Sequence, residues 1–194
     1  TRPTTPPTRT PEEPRPEERS EDGRGPGRPH RRRHPKASNL TLLTEVSAEA
    51  SGQDGRDSSG AVISYGSENL TDGSTVTTWR MDGDGRGTSI TFSFEQPVVL
   101  TQLALTNGYT KRDPADGTDR YRQERRILQV TWTTDDGTSY PQTLAEPNRR
   151  LQPMPVADLR TSTLTLTIDE TTAPGDPRRD YTAISEVVLR GHKA

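Results

Sequence analysis

The chain has no cysteine in its 194 residues, which removes disulfides, zinc-thiolate and iron-sulfur sites and cysteine nucleophiles together. Histidine is almost as scarce. His30 and His34 lie in an N-terminal stretch without core residues and His192 is two positions from the end, so none can be held to the ~0.5 Å that a catalytic base needs. Serine-hydrolase and metallohydrolase readings lose their base with them. No apolar run approaches the ~20 residues of a membrane helix, and no signal-peptide pattern is visible; a membrane or secretion element of the parent protein would lie outside this stretch.

Apolar content is low, 26% hydrophobic, and the 17 prolines and 16 glycines would suggest disorder if both were spread evenly. They are not. Residues 1–38 hold nine of the prolines, ten Lys/Arg and six Asp/Glu, with no aromatic residue and no aliphatic larger than Ala. That segment carries +4, whereas 39–194 has 16 basic and 22 acidic residues, net −6. We read residues 1–38 as a disordered Pro/Arg/Glu-rich linker and 39–194 as one domain. The linker's second half gathers Arg24, Arg28, Arg31, Arg32, Arg33 and Lys36 without an acid. This would suit a polyanion, nucleic acid or acidic lipid, but no aromatic interleaves to stack bases, so a solubilising spacer and no specific nucleic-acid partner are expected.

The domain is a series of short β-like pieces. Leu40–Ala50 carries Leu42, Val46 and Ala48, and AVISY at 61–65 is a short candidate strand. Thr88–Phe94 alternates with Ile90, Phe92 and Phe94 on one side. In Val98–Thr106, Val98 and Leu100 fall out of phase with Leu103 and Leu105, which predicts a bulge near Thr101 and Gln102. Arg126–Thr134 places Leu128, Val130 and Trp132 inward, and Thr161–Ile168 is the cleanest strand, burying Leu164, Leu166 and Ile168 behind a threonine face. The final strand, about Ala183–Arg190, loses its phase at Glu186, which predicts a bulge or a carboxylate turned away from solvent. No window of 11 or more residues has helical periodicity. Eight or nine strands predict an all-β, two-sheet sandwich or a barrel, with first and last strands as neighbours.

Two stretches carry candidate chemistry. Glu68–Thr77 is a polar turn rich in oxygen, followed by the core anchor Trp79; Asn69, Asp72 and Thr77, closed by Glu186, are candidate ligands for a structural Ca2+. The acidic turn Asp82–Gly85 lacks the continuation of a calcium loop, since position 93 is Ser, and reads as a β-connection. Asn107–Arg125 is a long loop in which Asn107, Tyr109, Lys111, Arg120, Tyr121, Arg122 and Arg125 would bind ligand, through flat apolar rings and directed donors. The alternative for this loop is that Tyr109 packs beneath it and the arginines pair with Asp113, Asp116 and Asp119. Those aspartates are the remaining carboxylates for an enzyme, and a solvated loop explains them equally well, so no catalysis is expected.

The ordered series Asp72-Gly73, Thr75–Arg80, Gly85–Phe94, Asn107-Gly108-Tyr109-Thr110-Lys111, Tyr121, Arg125 or Arg126, and Tyr181–Gly191 resembles the discoidin, or coagulation-factor type C, superfamily of galactose-binding-like domains. It is most similar to the branch called the NADase-type glycan-binding domain, a module of bacterial and fungal extracellular proteins. The resemblance implies a jelly-roll-like β-sandwich, calcium by the turn at 72–77 and Glu186, and non-catalytic binding of glycan, extracellular or at the cell surface. A structural or protein-protein module on a stalk is the alternative. The family's tyrosine, asparagine, arginine run is replaced here by Tyr121-Arg122-Gln123-Glu124-Arg125, and the added charge favours an acidic or protein ligand.

Overall fold

A computed structural model of the chain describes residues 36–57 and 59–194. The linker assigned to 1–38 lies outside the described residues except at 36–38, where Ser38 already pairs with Gly191; the domain thus begins ahead of Asn39. Ten strands follow in order: β1 (Ser38–Asn39), β2 (Thr44–Ala48), β3 (Gly55–Arg56), β4 (Val62–Ile63), β5 (Trp79–Asp82), β6 (Ser89–Asn107), β7 (Ile127–Thr134), β8 (Ser139–Thr143), β9 (Gln152–Thr171) and β10 (Tyr181–Lys193). Among the described residues the helical pieces are one turn, α1 (Arg120–Gln123), and three short 3-10 turns.

Hydrogen bonds run along β1–β10–β6–β9–β7–β8, with β2 added to β6 and β5 to β10, while β3 and β4 form a separate pair. The chain closes this path into a two-layer, jelly-roll-like sandwich because β6 and β9 change partners along their length. The first half of β6 pairs with β2 and with 163–167 of β9. Its second half pairs with β10 and with 152–161 of β9. Register shifts between Ser93 and Val98 and between Leu100 and Gln102 mark the change. The second is the bulge that the phase break predicts, and Val98, Leu100, Leu103 and Leu105 are all buried.

Alternation places the core as expected along β9, where Leu164, Leu166 and Ile168 are fully buried. Trp132 packs against Phe92 with ring centroids 6.2 Å apart. Both buried indoles are satisfied: Trp132 Nε1 donates to Gln142 Oε1 and Trp79 Nε1 to the Ala50 carbonyl, each at 2.9 Å. Two expectations near the start fail. Leu42 sits on a 3-10 turn and is 79% exposed while Leu40 is the core residue, and only Val62–Ile63 of AVISY forms a strand. At Glu186 the strand stays in register with Thr106, and the shift comes later, at Arg190/Gly191. The phase break there marks a carboxylate turned inward.

Candidate ligand-binding site

A cleft of about 650 Å³ opens between the 53–65 segment and the 109–120 loop. Its floor is built on Arg80, the residue after Trp79 on β5. Trp79 goes to the core, and Arg80, on the opposite face, is held between two rings, its guanidinium carbon 3.6 Å from the Tyr65 centroid and 4.0 Å from that of Tyr181. Such stacking favours a desolvated cation. A buried charge also needs a partner, and fully buried Glu124 supplies it, with Arg80 Nη1 3.5 Å from Glu124 Oε1 and Arg179 Nη2 on the same oxygen. Burial pushes the Glu124 carboxyl upward against the pull of these two arginines. One carboxylate for two guanidinium groups leaves the floor positive by one.

Tyr109 enters this floor because Gly108 turns the chain with φ +79°. The turn is pinned to β10, Ser185 Oγ donating to the Gly108 carbonyl at 2.9 Å and accepting from Thr110 N at 3.1 Å. Tyr109 stands edge-on to Tyr65, centroids 6.2 Å apart at 85°. Around the rim, Arg120 bonds Asp113 and Gln123, and Arg56 bonds the Gly60 carbonyl. Hydrogen bonds within their own turns, led by the Ser59 side chain for Asp57, the Ala115 backbone for Asp113 and the Thr118 side chain for Asp116, hold these carboxyls below the usual range. Half-buried Lys111 has no hydrogen-bond or ion partner among the described residues, and it lines the cleft together with the carboxylates of Asp54 and Asp82.

The predicted ligand residues separate into three groups. Lys111 and Arg120 line the cleft; Tyr109 does too, but as a 2%-exposed wall rather than an open platform. Asn107 is a buried bracket that does not line the cleft: its Nδ2 donates to the Ile127 carbonyl, and its Oδ1 accepts from Tyr121 and Gln152. Tyr121 is buried as well, its hydroxyl tied to Asn107 and to the Asn148 backbone. Arg125 is turned from the cleft onto Asp180 and the Thr172 carbonyl, and exposed Arg122 sits 3.7 Å from Asp119. The alternative reading of the loop therefore describes Tyr109 and most of its arginines. Tyr65, Arg80, Glu124, Arg179 and Tyr181 escaped sequence reasoning. Arg80 stood in the Thr75–Arg80 stretch and Glu124 inside the altered run Tyr121–Arg125, which were the available signals.

The candidate metal residues come together in part. Thr77 Oγ1 donates to Asp72 Oδ2 at 2.7 Å and Ser74 N to Asp72 Oδ1 at 2.8 Å. Glu186, on β10, faces this turn: Oε2 is buried without a partner, and burial together with the Asp72 charge pushes its carboxyl up to about 7, against the backbone N–H groups of Gly73 and Ser74. Asn69 holds the turn instead, its Nδ2 donating to the Ser64 and Thr78 carbonyls at 2.9 Å each. Among the described residues no three His, Cys, Asp or Glu side chains converge. A cation here would take two carboxylates and complete its shell with hydroxyl and carbonyl oxygens, a mixture calcium accepts; the orphaned Glu186 oxygen fits that role.

A family profile described as the NAD glycohydrolase translocation F5/8 type C domain matches residues 41–190. Among solved structures, the family 32 carbohydrate-binding module of NanJ from Clostridium perfringens, in complex with galactose, is similar at TM-score 0.55 and 13% identity, covering 80% of this chain and 99% of that one. A second Clostridium perfringens module, CpGH89CBM32-4 in complex with GlcNAc-α-1,4-galactose, gives 0.54 and 16%, covering 80% and 95%. The C-terminal domain of a chitobiase from Bacteroides fragilis gives 0.52 and 16%, covering 81% and 99%. These likenesses bear on the fold. No curated protein sequence matches the chain.

Proposed function

We propose that this chain, which belongs to the NAD glycohydrolase translocation F5/8 type C domain family, is a non-catalytic module that binds neutral carbohydrate in the cleft over Arg80, outside the cell or on its surface. The observation that carries the reading is the lining itself. A fixed guanidinium and the unpaired Lys111 donate, Asp54 and Asp82 accept, and tyrosines form the wall between them. Vicinal sugar hydroxyls need donors and acceptors side by side on a shaped, partly apolar surface. Ring stacking is a lesser part of this site, because Arg80 already occupies faces of Tyr65 and Tyr181. The acidic preference suggested by Arg122 and Arg125 does not extend to the cleft, since neither lines it.

The reading is one of binding without turnover. Among the described residues no histidine lines the cleft, and Glu124, the buried carboxylate beneath its floor, is held by Arg80 and Arg179. Calcium, where bound, would be structural, Asp72 and Glu186 tying the turn ahead of Trp79 to β10. The galactose-containing ligands of the solved relatives direct the choice of first probes. Neutral galactose- and N-acetylglucosamine-terminated oligosaccharides on an array should retain the chain, and Lys111→Ala should weaken the best of them at least tenfold by calorimetry with an unchanged Tm. Retention that is indifferent to Lys111, or none on any neutral glycan, would end the proposal.

A further inference from the structure

A second concavity, about 690 Å³, lies on the other side of α1 from the cleft, walled by that turn and by the Glu146–Arg150 segment. Its charge is one-sided. Arg122, Arg126, Arg149 and Arg150 line it against Glu146 alone. Arg126 pairs with Glu146, whereas Arg112, Arg122 and Arg149 all share Asp119 at its edge. Five arginines facing two acids leave +3 in one place, on residues 39–194 whose net charge is −6. Arg150 has no ion partner among the described residues, and Arg122 is 83% exposed at its side chain.

The walls are fixed in advance. The Tyr121 hydroxyl accepts from Asn148 N and donates toward the Asn148 carbonyl, both at 3.1 Å. Ala145 and Gln152 exchange two further bonds at the base of the segment. Arg149 and Arg126 lie over the Tyr121 ring, at 4.6 and 5.7 Å from its centroid. Arg126 and Arg149 thereby shape a positive wall with donors engaged by Glu146 and Asp119, and the exposed Arg122 and Arg150 supply the N–H donors left for planar or tetrahedral oxyanions.

We propose that this groove is a second binding site, for the carboxylate or sulfate groups of an acidic polysaccharide. Nucleic acid is disfavoured because Tyr121, the one aromatic of the groove, is 2% exposed and covered by arginine, leaving no face on which a base could stack. A bilayer is disfavoured because the charge lines a concavity and the exposed Leu42 and Leu43 are not part of it. Nothing here depends on the neutral-sugar cleft.

The test uses the full chain, so that the basic stretch at 24–36 contributes equally to every sample. Calorimetry at fixed salt measures a heparin hexasaccharide, which carries sulfate, and hexagalacturonate, which carries only carboxylate. Arg122→Ser with Arg150→Ser should weaken at least one of them tenfold or more without moving the Tm. Arg150→Glu alone, at a side chain with no ion pair to lose, should do the same and serves if the double variant folds poorly. Absence of binding by the parent chain, or affinities that both variants leave untouched, overturns the site. So does tighter, groove-dependent binding of phosphatidylserine vesicles or single-stranded DNA than of either hexasaccharide.

Discussion

Glu186 is the residue at which pH and fold meet, and the one on which the proposed calcium depends. Its carboxyl titrates near 7 in the folded chain and near 4.5 when unfolded. A raised acid binds its proton more tightly in the native state, so the associated stability is complete below about pH 4.5 and is lost as pH rises through about 7. The loss amounts to about 3 kcal/mol. Metal-free protein should therefore melt about 6–12 °C higher at pH 5 than at pH 8, and Glu186→Gln should flatten that difference. Millimolar calcium should raise the pH 8 Tm of the parent by linkage and leave Asp72→Ala with Glu186→Gln unmoved. A parent indifferent to calcium would remove the metal. The acid limb runs the other way: Asp84, Asp119 and Asp135, held below the usual carboxyl range, contribute stability that disappears as pH falls below about 4. Glu186 was legible from its broken alternation. The inward direction of Asn107 and Tyr121 was not legible because a polar or aromatic side chain in a loop carries no mark of which way it points, and both close hydrogen bonds that burial demands.

At the scale of elements, phase within a strand was informative and short pairings were not. The β6 bulge could be read because it lets two aliphatic residues on each side of it reach the core. β1 and β3 could not, since two residues have no period, and β1 depends on a partner far along the chain, near Gly191; β4 was read too long, as 61–65 rather than Val62–Ile63. The late bulge in β10 rests on Gly191, where a Cβ would stand 2.1 Å from the Val99 carbonyl oxygen. Gly191→Ala should cost about 2 kcal/mol or more, seen as a Tm at least about 4 °C lower. An unchanged melt would mean that the β6–β10 crossing tolerates a side chain and is looser than described. Arg80 shows the opposite limit. Strand alternation sends it away from the core, but the next layer out is Tyr65, Tyr181 and Glu124, so the position is buried and charged together.

Across the whole molecule, the cleft joins four separated stretches, 53–65, 80–82, 109–120 and 179–181. β10 brings them together by pairing with β5 through Tyr181 and Asp82 and by holding the 108–110 turn through Ser185. Sequence reading found one of the four as a ligand loop and the fold that gathers them, but not their meeting. The most direct test is a titration of uniformly 15N-labelled chain with the neutral oligosaccharide best retained on an array, followed by amide shifts. The account predicts saturable changes centred on Arg80, Lys111 and Tyr181, small changes at Arg149 and Arg150, and their loss in Lys111→Ala. Shifts centred on Arg149 and Arg150, or spread without a focus, would contradict it.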